Sequence, residues 1–384
     1  ERQMCFVAGP RQVGKTTSCR RLATTYLDWD VQEHRALIAA GQHAVAERAG
    51  LELLQADDEA PVLVLDELHK YPRWKNFLKG FFDLHGERCH IVVTGSSRLD
   101  AYRRGGDSLM GRYFLYRMHP LSVAELLNTQ PPGEELVRPP TRPDESSWQA
   151  LWEHGGYPEP LARNSARFSR RWRTLRRSQL LNEDLRDLTR VQEVALVEIL
   201  GQLLADRSGE QLVYSNLAAD VQAAPNSIKA WIETLCALHF GFVVRPWYRN
   251  VSRALRKEPK WYLRDWSGVA DEGSRAETFI ANHLLKAVEG WTDWGLGAFE
   301  LRYVRDRNKR EVDFLVVRDA EPWFLVEVKK SGTAPSPGLA YFQQQTRAAH
   351  AFQVVLDQPY VEADCFAHTA PTVVPARTFL SQLL

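Results

Sequence analysis

Near the start of the chain the run Gly9-Pro10-Arg11-Gln12-Val13-Gly14-Lys15-Thr16 has the residue types and spacing of a phosphate-binding loop. Glycines at its two ends let successive backbone N–H groups turn inward around an anion, and a helix opening just after them adds the positive end of its dipole. Lys15 is a mobile charge for β- and γ-phosphates, and the Thr16 hydroxyl is a ligand for the Mg²⁺ that travels with them. The flanks agree. Met4 to Ala8 is a short apolar run of strand type, and Thr17 to Leu27 can continue as a helix, so strand, loop and helix come in the required order. Residues Gly9 to Thr17 are expected to bind a nucleoside triphosphate, read as ATP with Mg²⁺.

Hydrolysis needs acids beside that loop. Pro61 to Glu67 is a continuous apolar run ending in Asp66 and Glu67, which suits a strand buried on both faces of a parallel sheet, with its acids at the end where ligands sit. Asp66 is expected to hold Mg²⁺ through water, and Glu67 to polarise the attacking water. A third strand, His90 to Val93, runs into Thr94-Gly95-Ser96-Ser97-Arg98. Thr94 or Ser96 could sense the γ-phosphate. Arg98 and Arg112 are candidates to stabilise developing charge, in the same chain or for a neighbouring subunit. Surface arginines are the plainer reading of both.

The phrases GPRQVGKTT, LVLDELHKYPRWKNFLK, VVTGSSRLD, SLMGRYFLYRMHPLSVAEL and HGGYPEP, in that order, resemble a family of prokaryotic AAA+-like P-loop ATPases fused to a C-terminal domain called DUF4143. The resemblance covers nearly the whole chain. It implies an ASCE-type fold in which the acid beside the Mg²⁺ ligand is the catalytic base, in agreement with the reading of Glu67. It also implies a nuclease-like C-terminal domain.

A second constellation lies in that C-terminal part. Glu277 falls on an expected helix, Ser274 to Glu289; Glu311 to Val317 and Trp323 to Lys329 read as consecutive strands with a turn at Asp319 to Pro322. Asp313 and Glu327 then sit side by side across a hairpin, and Glu327 and Lys329 share one strand face. Two carboxylates there could hold Mg²⁺ while the lysine orients water. The pattern looks like the PD-(D/E)xK nuclease fold and carries over as Glu277, Asp313, Glu327 and Lys329, with Val312 where a proline often stands. A strand pair with solvated charges is the alternative.

These residues need elements to hold them. The expected fold class is α/β: a P-loop ASCE/AAA+-like parallel sheet, then a helical and winged-helix region, then a C-terminal α/β restriction-endonuclease-like domain. The boundaries read as 1–122 for the ATPase domain, 123–205 for a linker and helical region, 206–265 for a winged helix and 266–384 for the nuclease-like domain. Thr129 to Ser147, rich in proline and polar residues, reads as a linker or mobile insertion. Arg163 to Arg177 carries seven arginines and no acid. That stretch is a solvated helix face, a phosphate contact or a subunit interface. In the winged-helix region Ser215 and Ser227 could cap two short helices. Seven basic residues between Arg245 and Arg264, interleaved with Trp247, Tyr248, Trp261 and Tyr262, suit contact with nucleic-acid backbone. Winged helices also serve as lids and protein interfaces.

Composition excludes little else. At 384 residues the chain exceeds one core, and no apolar run approaches the ~18 residues of a membrane span. Five scattered cysteines without a C-x-x-C form neither a disulfide framework nor a zinc site and read as reduced thiols of a cytoplasmic protein. The start at Glu1 rather than a methionine reads as a cut N-terminus. The favoured function is an ATPase acting on DNA or DNA-bound partners, as a possible homo-oligomer with no membrane partner. The alternative is a regulatory ATP switch that assembles with protein partners and cleaves no DNA. A third reading makes the C-terminal site the principal enzyme.

Overall fold

The computed structural model describes residues 2–55, 58–95, 109–130, 133–181, 194–248 and 258–384. The expectations placed on Ser96 and Arg98 fall outside these residues, as does the tip of the basic stretch, 249–257. The chain divides into two compact units, Glu1–His119 and Pro120–Leu384.

The first unit is a five-stranded parallel sheet in the order β2-β3-β4-β1-β5, with β1 at Met4–Ala8, β2 at Thr25–Asp28, β3 at Val62–Asp66, β4 at His90–Thr94 and β5 at Tyr113–Arg117. Alternation along the strands explains why it needs cover on both faces. Phe6, Leu63 and Leu65 point to one side, where Phe77, Leu78 and Phe81 of α4 (Trp74–His85) pack; Val7 and Val64 point to the other, against Cys19 of α1 (Lys15–Leu22). α4 is built for this, with Trp74, Phe77, Leu78, Phe81 and Phe82 on one helical stripe. Helices α2 (Gln32–Ala40) and α3 (Gln42–Arg48) complete that side. The expected helix Thr17 to Leu27 is shorter than its sequence suggests. It ends at Leu22, because Thr25 to Asp28 pairs with Leu63 to Asp66 as a strand.

The second unit opens with helices: α5 (Val123–Leu127), α6 (Glu145–His154), α7 (Pro158–Arg163), α8 (Ala166–Gln179), α9 (Val194–Asp206), α10 (Tyr214–Val221) and α11 (Pro225–Ala237). A seven-stranded sheet follows in the order β12-β11-β10-β9-β8-β6-β7. Its strands are β6 (Gly241–Pro246), β7 (Lys260–Leu263), β8 (Phe299–Arg305), β9 (Glu311–Arg318), β10 (Glu321–Lys329), β11 (His350–Val355) and β12 (Thr372–Pro375). Helix α12 (Glu272–Asp293), capped by Asp271, packs its apolar stripe on this sheet, and α13 (Pro337–Thr346) and α14 (Ala376–Ser381) complete the cover. Asp319 and Ala320 turn the β9–β10 hairpin with φ of 50° and 69°, the left-handed pair that matches strand twist.

Three expectations change here. The helix pair α10–α11 and the hairpin β6–β7 are present, but β6 also pairs in parallel with β8 through Arg245↔Arg302 and Pro246↔Tyr303. One sheet therefore runs across the expected boundary at 265/266, since the free edge of β6 gains backbone partners there. Ser215 and Ser227 do not cap: α10 starts at Tyr214, and Pro225 supplies the fixed φ of the first turn of α11. The stretch expected as a linker is tied down. Arg138 N–H donates to Gln382, Trp291 Nε1 donates to the Leu136 carbonyl, and Thr141 N–H donates to Ser381.

Candidate active site

β1 ends at Ala8 and the phosphate-binding loop follows at once. Gly9 has φ 149°, Gly14 φ 105° and Gln12 φ 63°, so the loop turns through left-handed backbone. A Cβ at Gly9 would stand 2.2 Å from the Met118 carbonyl oxygen, which excludes any other residue there. Pro10 and Val13 are buried, and Arg11, Thr16 and Thr17 are exposed around the rim. Lys15, 8% exposed, folds back over its own loop. Its Nζ donates to the carbonyl oxygens of Gly9 (2.8 Å) and Pro10 (2.7 Å). Burial lowers its pKa to about 8, against the pull of Glu67 and Asp66.

The acids meet this loop because β4 lies between β1 and β3. The Thr16 hydroxyl donates to Asp66 Oδ2 at 2.9 Å. Asp66 also accepts the hydroxyls of Tyr26, from β2, and of Thr94, at the end of β4. Three hydroxyls from three elements thus fix one carboxylate. Thr94 is fully buried and holds Asp66. Glu67 sits just past the strand with φ 53°, and its Oε2 lies 3.2 Å from Lys70 Nζ, which also binds Asp30 Oδ2 at 2.6 Å. Tyr26 and Lys70 were not singled out from sequence. Tyr26 reaches Asp66 only through strand pairing; Lys70 is visible as a cation three residues after Glu67.

Arg112 lies elsewhere. β1 and β5 run parallel from Met4↔Tyr113 to Ala8↔Arg117, so Arg112 stands at the opposite end of the sheet from the loop. At 3.3 Å per residue this is roughly 20 Å from Gly9, beyond an arginine's reach. Its guanidinium pairs with Asp83 at 2.9 and 3.3 Å. A role for Arg112 at the phosphates of its own chain is excluded.

The loop and acids fit ATP with Mg²⁺: anion-facing backbone, a buried ammonium, and a hydroxyl beside a carboxylate. The arrangement defines a P-loop nucleotide-binding α/β domain. Residues 1–127 match the family described as an AAA domain, residues 145–270 a domain of unknown function (DUF8612), and residues 272–364 a domain of unknown function (DUF4143). The first unit is thus similar to AAA domains, and the C-terminal part to DUF4143 domains. It is 23% identical over 346 residues, 85% of this chain and 70% of theirs, to uncharacterized proteins of Mycobacterium bovis and Mycobacterium tuberculosis. A solved chain from the structure of Drosophila ORC bound to DNA is 12% identical, with a TM-score of 0.23, covering 67% of this chain and 86% of that one.

The C-terminal acids gather around a lysine that the D…E-x-K pattern does not contain. Lys260 of β7, 4% exposed, places its Nζ 2.9 Å from Glu277 Oε1, 2.5 Å from Glu311 Oε1 and 3.5 Å from Asp313 Oδ1. The Tyr262 hydroxyl donates to Glu277 at 2.6 Å, and Arg305 adds a bond to Glu311 at 3.0 Å. Burial opposes the Lys260 charge, yet Glu277, Asp313 and Glu311 together hold its pKa above the ordinary value. Burial, then the Glu277 charge, raises the Asp313 carboxyl. Glu327 turns to Lys329 Nζ (2.9 Å) and the Ser336 hydroxyl, and Asp313 Oδ2 accepts the Val328 N–H at 2.9 Å. The four nuclease-type residues share one neighbourhood: Asp313 feels the charges of both Glu277 and Glu327, and Lys329 those of Glu327, Asp313 and Glu277. Among the described residues no group of three or more His, Cys, Asp or Glu is arranged to hold a metal ion. The Lys260 ammonium stands among Glu277, Glu311 and Asp313, where its charge offsets theirs. All five cysteines are free, and among the described residues no helix is long and apolar enough to cross a membrane.

Proposed function

We propose that this chain hydrolyses Mg-ATP at Lys15, Thr16, Asp66 and Glu67, and uses the cycle to act on DNA or DNA-bound partners through its second unit. The observation that carries the reading is the Thr16 hydroxyl bonded to Asp66 beside a buried Lys15 in a glycine-turned loop. Bound ATP supplies the γ-phosphoryl group, and Mg²⁺ the charge that offsets it. Lys15 exchanges its two carbonyl bonds for phosphate oxygens. Thr16 and Asp66 present oxygen donors to the cation. Glu67, with Oε2 held by Lys70, takes the proton of the attacking water. Metal-dependent cleavage by Glu277, Asp313, Glu327 and Lys329 is not part of the proposal, because Lys260 sits among the acids.

The DNA part rests on the helix pair α10–α11 followed by the β6–β7 hairpin. One observation favours the second reading, a switch partnered by protein. Trp261 and Tyr262 are fully buried, and Lys260 and Arg264 are buried too, so this end of the basic stretch is core and not a nucleic-acid platform. Calorimetric titration of Mg-ATP and a turnover assay with and without duplex DNA separate the claims. Lys15→Ala should weaken ATP binding by about 100-fold, the cost of a charge-assisted contact. Unchanged affinity would remove the nucleotide site. Turnover indifferent to DNA would transfer the proposal to a protein partner.

A further inference from the structure

Helix α8 carries most of the arginine run, and among the described residues its arginines are not spent on ion pairs. Arg170, Arg173, Arg176 and Arg177 line one cavity of about 310 Å³ in the second unit. Among the described residues their side chains meet only neutral partners. Arg173 donates to the Ser267 hydroxyl at 3.1 Å, Arg177 to Gln202 at 2.6 Å and Arg176 to the Tyr157 hydroxyl at 2.5 Å. Arg176 is the decisive residue. It is 7% exposed, stacks on the Tyr157 ring at 4.2 Å, and keeps a buried Nε with no hydrogen-bond partner. An unpaired guanidinium nitrogen that deep costs free energy unless something occupies it. The carboxylate of Asp265, the one among the described lining residues, accepts the N–H and hydroxyl of Ser267.

We infer that this cavity is a binding site for a phosphate group carried on a nucleotide. Four arginines on one lining offer several guanidinium forks to a single ligand, which suits a tetrahedral oxyanion better than a planar carboxylate that one fork already satisfies. The lining also includes the apolar Phe240 and Leu263, so the ligand is a phosphate attached to an organic body. The volume falls within the range of small-ligand pockets. A free nucleotide and a unit within a single strand present the same chemistry. The site lies in the second unit and holds or fails irrespective of hydrolysis.

The test has two arms, each comparing wild type with the triple variant Arg170→Gln, Arg173→Gln, Arg177→Gln. One measures polarisation of a fluorescein-labelled single-stranded oligonucleotide across a salt series. The other measures calorimetric binding of AMP in the Lys15→Ala background, which removes the loop from play. Binding at least about tenfold weaker in the triple variant, with an unchanged thermal midpoint, is the expected result. In the oligonucleotide arm the log–log salt slope should fall by about 2, for three lost phosphate contacts. An effect in the oligonucleotide arm alone identifies a strand as the source, and an effect in the AMP arm identifies the free nucleotide. If the triple variant does not fold, the exposed Arg177→Gln alone should weaken binding by about threefold. Equal binding by wild type and variant, or no binding of either probe at millimolar concentration, overturns the inference.

Discussion

Each unit holds acids around a lysine, and the two arrangements do opposite things. In the first, Lys15 comes from the loop itself and bonds only to backbone carbonyls, while hydroxyls hold Asp66. Those are contacts that an anion and a cation can take over without leaving a charge behind. In the second, Lys260 comes from a distant strand and is bonded to the acids directly. There the charges already answer one another. The difference teaches that a motif's residue types describe a site only when no further charge is delivered to it by the fold.

The largest test of this contrast is Lys260→Met. It leaves Glu277, Glu311 and Asp313 facing one another with little water, and should destabilise the second unit by about 3–5 kcal/mol in urea unfolding at pH 7.5. The loss should shrink as the carboxyls protonate at lower pH. A variant as stable as wild type would mean the acids do not depend on that ammonium.

A smaller effect concerns pH. His283, buried in the second core, accepts the Val123 N–H at 3.1 Å, and its Nδ1 faces the Phe279 carbonyl at 2.8 Å; burial lowers its pKa to about 3. For this base the unfolded chain, with a pKa near 6.5, binds more protons than the folded one between pH 6.5 and 3. Stability is therefore full above 6.5 and falls as pH drops through that window, by about 2 kcal/mol at pH 5. His283→Leu should flatten this slope in unfolding curves at pH 7.5 and 5, although it strands the Val123 N–H. An unchanged slope would assign the acid sensitivity to other groups.

Tyr26→Phe removes one of the three hydroxyls on Asp66 and should lower stability of the first unit by about 1 kcal/mol. Turnover should fall only modestly, since Thr16 and Thr94 remain. The smallest effect is expected from Arg112→Ala. Turnover in dilute solution should not change, because the side chain answers only to Asp83 at the far end of the sheet. A loss that grows with protein concentration would instead reveal a role for a neighbouring copy.

The first site was legible in sequence because its parts are local. Gly9 to Thr16 is contiguous, and Asp66 ends an apolar strand that can only be buried. Strands β9 and β10 and helix α12 were legible for the same reason, as period-2 and period-3.6 patterns. The cluster around Lys260 was not. Lys260 and Glu311 are 51 residues apart, and no periodicity links a strand of one hairpin to acids of another. In sequence Lys260 belonged to a basic run, and only the pairing of β6 with β8 brings it inward. The same pairing hid the joined sheet, and Arg112's distance from its own loop was hidden because proximity to a strand does not say which end of the sheet it marks.

The measurement closest to the central claim is phosphate release from Mg-ATP by the purified chain beside its Glu67→Gln variant, with nucleotide affinity measured for both. Glu67 as the group that takes the water's proton predicts a fall in turnover of about 100-fold or more with affinity retained. Equal turnover in both proteins, or a wild type that binds Mg-ATP and releases no phosphate, would contradict it.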